Sequence, residues 1–136
     1  MRDSIVVTAT DLARLRRLVN GQKSFPRSDS DSLHKLEQEL DRAEIVDAAD
    51  APHDLITMNS EVRLKDLDTG HERIYRLIFP TQERRANGVS ILAPIGTAIL
   101  GYRVGDVIEW KVPRGLRRFQ VLEVVYQPES APVAVE

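Results

Sequence analysis

The sequence predicts an α+β fold: a short antiparallel helical hairpin, then a curved antiparallel sheet of about five strands around one short helix. Three observations predict it. In the first third, leucines recur at spacings of three and four in two separate stretches. Beyond residue 55, apolar and polar residues alternate between turn signals. Within that region, Pro94 and Gly101 bracket a run of small and apolar residues too short and too apolar for a surface helix.

Ser4 to Thr8 is rich in β-branched residues and reads as a strand. Thr8 or Thr10 then caps a helix with Asp11 in its first turn, where the helix dipole favours an anion. Leu12, Leu15, Leu18 and Val19 form its apolar stripe, and Asn20-Gly21 ends it. Gln22 to Ser30 reads as a loop. Ser30 or Asp31 caps a second helix running to about Val46, with Leu33, Leu36, Leu40 and Ala43 as an a/d seam. Arg14, Arg16 and Arg17 on the first helix face Glu37, Glu39, Asp41 and Glu44 on the second. At 1.5 Å per residue the two span roughly 16 and 24 Å, so each needs packing to persist.

Asp47 to Asp54 is the candidate boundary, dividing a hairpin over residues 1–50 from a carboxy-terminal domain over 51–136. Glu61 to Asp68 alternates with period two, putting Val62, Leu64 and Leu67 toward the core. Asp68-Thr69-Gly70 turns the chain and Glu72 to Phe79 returns as the second strand of a hairpin. Asn87-Gly88 is a turn before a short strand over Val89 to Leu92. Pro94 starts a helix, where its missing N–H costs least, and Gly101 closes it. Val107 to Val112 and Phe119 to Tyr126 are the last strands, with Phe119, Val121, Glu123 and Val125 on one face. The tail from Gln127 reads as loose.

Composition narrows the function. With 42% hydrophobic and 29% charged residues the chain is of globular type. Nineteen basic against 21 acidic residues, a net charge of −2, offer no general attraction to nucleic acid or anionic lipid. No cysteine is present, which excludes disulfides and thiolate chemistry. No signal peptide or membrane span is legible, and a cytoplasmic protein is expected.

Catalytic motifs are absent: there is no Walker loop, G-x-S-x-G or G-x-G-x-x-G. His34, His53 and His71 lie in three different elements without ligand spacing, so neither metal nor cofactor is expected. His53-Asp54 reads as a structural hydrogen bond before a catalytic pair. Asp29 and Asp31, with Phe25 and Arg27, mark the hairpin tip. The two carboxylates serve as a helix cap or, less simply, as Mg²⁺ ligands shared with a partner.

The run APIGTAILGYRVGDVIEWKVPRG, followed by a strand ending VVY, resembles the carboxy-terminal domain of the bacterial Gre transcript-cleavage factors. Upstream, PHDLITMNSEVRLKDLDTG is similar to the Rnk family, which shares PHD-x-x-TMNS. The resemblance implies an FKBP-like domain carrying a short antiparallel coiled coil. It implies a monomeric, non-enzymatic transcription regulator that docks on RNA polymerase near its secondary channel, without sequence-specific nucleic-acid binding, and competes with other channel factors. The implied contact segment covers Ala93, Pro94, Ile95, Gly96, Thr97 and Tyr102, although the Gre Ser, Arg and Lys are here Ala93, Thr97 and Tyr102. Gre factors bring acidic residues to the polymerase centre on a long coiled coil. The hairpin here is too short for that, and cleavage stimulation is not expected. Two alternatives follow from the resemblance: a prolyl isomerase, resting on fold analogy alone, and a protein acting directly on nucleoside diphosphate kinase.

Overall fold

The computed structural model describes residues 5–22, 30–80, 87–112 and 115–130. The chain enters as strand β1 (Val6–Thr8), whose residues are all buried, and passes directly into helix α1 (Ala9–Gln22). Thr8 is the cap: its Oγ1 accepts the Asp11 N–H at 3.1 Å. The predicted stripe holds, with Leu15 and Val19 buried and Leu12 and Leu18 packed beside them. The predicted stop at Asn20-Gly21 does not, because the helix continues through both residues to Gln22, and Gly21 lacks the positive φ of a left-handed terminator.

Helix α2 (Ser30–Arg42) buries Leu36 and Leu40. Across the pair Arg16 donates to Asp41 at 2.7 Å, one of the expected charge contacts. The second helix was expected to reach Val46. It ends at Arg42, and Glu44–Val46 instead forms strand β2, parallel to β1. Ile45 and Val46 are β-branched and satisfy their backbone better in a ladder than in another helical turn. The two-stranded sheet ties the hairpin to the rest, since Glu44 N–H donates to Ile5 O at 2.8 Å and Val6 N–H to Gly101 O at 3.4 Å.

The main sheet contains β3 (Glu61–Asp66), β4 (Glu72–Ile78), β5 (Gly88–Ser90), β6 (Val107–Val112) and β7 (Gly115–Tyr126), in the order β5-β4-β3-β7-β6. The expected β3–β4 hairpin is antiparallel, and Gly70 takes a positive φ of 81° in its turn. Two readings need correction here. The sheet is mixed, because β5 runs parallel to β4. And the period-two register that buries Val62 and Leu64 buries Asp66 next, leaving Leu67 36% exposed.

Strand β7 corrects a third expectation. Its pairing with β3 shifts twice, so that Leu64 faces Val121, Arg63 faces Glu123, Val62 faces Val124 and Glu61 faces Tyr126. Such bulges turn the following side chains over. Val124 therefore packs on the core while Glu123 and Val125 are exposed. Helix α3 (Pro94–Ile99), opened by proline at its first turn, lies against the sheet. One core cluster runs from Ile5, Val7, Leu15, Leu36 and Leu40 in the amino-terminal part through Ile99 of α3 to Val62, Leu64 and Phe119 in the sheet. The start of the tail is not loose. Gln127 is buried and its Nε2 donates to Pro52 O at 2.7 Å and Leu55 O at 2.8 Å, ahead of a 3-10 turn at Pro128–Ser130.

Buried Asp66 ends β3 as an Asx turn: Oδ1 accepts the N–H groups of Asp68 at 2.8 Å and Thr69 at 3.1 Å, while Oδ2 pairs with Arg117. The Arg117 bond holds its pKa below the usual value of 3.8, helped by the two backbone donors. A lowered folded pKa contributes stability above the usual value and loses it as pH falls through the lowered one. Asp66→Asn keeps the turn acceptor but not the charge. It should therefore be less stable than the parent at neutral pH in urea titrations, with the gap closing as the pH falls below 3.8. A gap independent of pH would refute this role for the ion pair.

Candidate functional site

The segment Ser90 to Tyr102 is built by backbone constraint. Ile91 N–H donates to Ile78 O at 2.8 Å, Leu92 N–H to Ser90 Oγ at 3.0 Å and Ala93 N–H to Ser90 O at 2.9 Å, a tight turn that aims the chain into α3. Thr97 fastens the helix to this turn, donating its hydroxyl to Ile91 O at 2.6 Å. Gly96 sits against the same turn so closely that a Cβ there would lie 2.0 Å from Ser90 O. Gly101, at φ 83°, ends the element where a Cβ would lie 2.4 Å from the Ile5 Cβ.

The six predicted contact residues thus divide. Pro94 is exposed, and Ala93, Ile95 and Tyr102 are half-buried, the last two packed on the core. Gly96 and Thr97 are buried and hold the segment in shape. Of the predicted tip, Phe25, Arg27 and Asp29 lie outside the described residues, as does the side chain of Asp31; only its helical backbone is described.

Beside α3, Arg103 donates to Asp54 from both Nε and Nη2 at 2.9 Å, and its N–H donates to Asp106 at 2.8 Å. Asp54 therefore orients Arg103, while His53 is exposed. Sequence reading missed a buried polar cluster under the TMNS stretch. Thr57 Oγ1 donates to Glu129 at 2.7 Å, Thr57 N–H to Ser60 Oγ at 3.0 Å, and Met58 N–H to Asp11 Oδ2 at 3.0 Å. The signal was present in four consecutive residues, three of them polar, directly after an apolar run, with Asn59 able to adopt its φ of 67°. Among the described residues no group of three or more His, Cys, Asp or Glu could hold a metal ion. Among them, too, no helix is long and apolar enough to cross a membrane.

The segment thus exposes Pro94 beside the half-buried Ala93, Ile95 and Tyr102, with the Arg103–Asp54 ion pair next to it in the chain. Residues 51–126 match the family described as "Transcription elongation factor, GreA/GreB, C-term", and residues 3–46 match "Rnk N-terminus". The "Regulator of nucleoside diphosphate kinase" of Escherichia coli (strain K12) is 37% identical over 134 residues, covering 96% of this chain and 95% of that protein. The chain belongs to the Rnk family, within the GreA/GreB group. Such a member is, by homology, a transcription elongation factor-like regulator. "Transcription elongation factor GreA" of Thermotoga neapolitana is 36% identical over 93 residues, 68% of this chain but only 59% of that factor. A solved structure, "Prokaryotic transcription elongation factor GreA/GreB from Nitrosomonas europaea", superposes with a TM-score of 0.73 at 37% identity, over 92% of this chain and 100% of that one. This chain therefore has a GreA/GreB-like fold: a mixed α+β body with a five-stranded sheet.

Proposed function

We propose that this protein regulates transcription by binding RNA polymerase near the rim of the secondary channel, competing with other channel factors, and does not stimulate transcript cleavage. Residues 51–126 match the Gre carboxy-terminal family, and that match supports the docking. The observation that carries the absence of cleavage is the length of the hairpin. Its helices have 14 and 13 residues, about 21 and 20 Å at 1.5 Å per residue. The reading takes residues 1–50 as a short antiparallel coiled coil and 51–136 as an FKBP-like head, in a monomeric cytoplasmic protein. Pro94, with the half-buried Ala93, Ile95 and Tyr102, forms the presenting edge, and Gly96 and Thr97 keep that edge rigid. A preformed edge loses little conformational entropy on docking.

Backtracked polymerase complexes supply the test. Added alone, the protein should leave the RNA 3′ end intact; added with a Gre factor, it should slow the cleavage that factor stimulates. Shortened RNA from the protein alone would overturn the reading, as would Gre-stimulated cleavage that a large excess leaves unchanged.

The name of the Escherichia coli relative favours a second reading, direct action on nucleoside diphosphate kinase. A pull-down offering polymerase and kinase together separates the two: retention of polymerase supports the first, retention of the kinase alone the second.

A further inference from the structure

Residues 55–60 are the place where the hairpin, the head and the carboxy-terminal turn meet. From the exit of α3, Gly101 N–H donates to Ile56 O at 3.0 Å and Ile56 N–H donates to Tyr102 O at 2.9 Å. Asp11 of α1 takes the Met58 N–H, and Glu129 of the carboxy-terminal turn takes the Thr57 hydroxyl proton. Two carboxylates from opposite ends of the chain thus grip two consecutive residues, and Asp11, Thr57, Met58 and Ser60 are all buried.

The donors around these carboxylates are unequal. Thr57 Oγ1 has one proton and donates it in the hydrogen bond to Glu129, so at 2.9 Å the Ser60 hydroxyl donates to Thr57 Oγ1. Asp11 Oδ2 has the Met58 N–H. The charged groups acting on Asp11 are Glu129, which opposes its ionisation, and Arg14 of its own helix, which favours it. Segment 55–60 brings only uncharged side chains and β1 brings Thr8.

We infer that Asp11 and Glu129 form a proton-operated clasp that sets how firmly the helical hairpin is held on the head. With a proton on Asp11, its carbonyl oxygen still accepts the Met58 N–H and the repulsion by Glu129 is gone. With both groups ionised, a buried charge faces a like charge and the hold is weaker. Burial first, then Glu129, raises the Asp11 pKa above its usual 3.8, against the pull of Met58 N–H, Arg14 and Thr8. A raised folded pKa gives a contribution fully present below the usual value and lost as pH rises through the raised one.

The test is hydrogen exchange on the full chain, corrected for intrinsic rates, with the α1 amides of the parent referenced to those of Asp11→Asn. Between about pH 4 and pH 8 the relative protection of α1 should fall on the order of tenfold for each unit by which the Asp11 pKa is raised. Asp11→Asn should stay protected throughout, because its amide oxygen replaces the acceptor without the charge. Glu129→Gln, which keeps an acceptor for Thr57, should move the fall to lower pH. A flat profile for the parent protein, or a fall in D11N equal to the parent's, would overturn the clasp. If D11N does not fold, E129Q decides alone, and an unmoved profile rejects the inference.

Discussion

Gly96→Ala is expected to destabilise the protein by roughly 3 kcal/mol or more, read as a lower urea midpoint with an unchanged slope. The new methyl would lie 2.0 Å from the backbone oxygen of Ser90, 2.9 Å from its carbonyl carbon and 3.1 Å from the Ile91 Cα. No rotamer change relieves a clash with backbone. Relief requires α3 to lift from the turn, which breaks the Thr97 bond to Ile91 O and leaves that buried carbonyl unpaired. Gly21 supplies the control. It lies in the last turn of α1 with nothing within 4 Å of a built Cβ, so Gly21→Ala should be neutral or stabilising by up to about 1 kcal/mol. Equal effects at the two positions would mean that helix propensity, and not the close approach at Ser90, explains Gly96.

The contrast between these two glycines also shows what a sequence can disclose. Gly21 reads in sequence as a helix terminator and Gly96 only as part of a contact segment; what sets Gly96 apart is a neighbour six residues away in a turn. Local rules were enough for the start and stripe of α1, for the β3–β4 hairpin and for the start of α3, where cap and leucine spacing, the Asp68-Thr69-Gly70 turn and initial proline are written in adjacent residues. They failed where a distant partner decides. Glu44–Val46 continues the spacing of α2 yet becomes a strand because β1, far earlier in the chain, offers its edge. The bulges of β7 arise from pairing with β3 and reverse the facing of Glu123 and Val124. At the candidate site the segment itself was legible, but not which residues face out: Thr97 is turned inward by a hydrogen bond to Ile91, and Asp54 is claimed by Arg103 and not by its neighbour His53. Asp11 was placed correctly in the first turn of α1 for its dipole, while its burial against Met58 depends on a loop 47 residues on.

Leu36→Ala should cost about 2–5 kcal/mol, because a fully buried leucine loses both transfer energy and the contacts around the cavity it leaves. The more informative outcome is how that loss is distributed. Leu36 belongs to α2, yet its cluster continues without interruption through Ile5 and Val7 to Ile56, Leu100 and the sheet. At the exit of α3, Val6 N–H of β1 donates to Gly101 O and Gly101 is pressed on Ile5. Helices this short do not persist alone in water, so the hairpin has no separate folded state to retain once its contact with the head is weakened. The parent and L36A should therefore each unfold in a single transition, the variant at the lower denaturant concentration. In that transition, exchange of hairpin amides and loss of sheet circular dichroism coincide. Two separated transitions in the variant, with the sheet melting at the parent's midpoint, would show instead that the head is stable without the hairpin. The shared apolar cluster would then be a docking contact, not a common core.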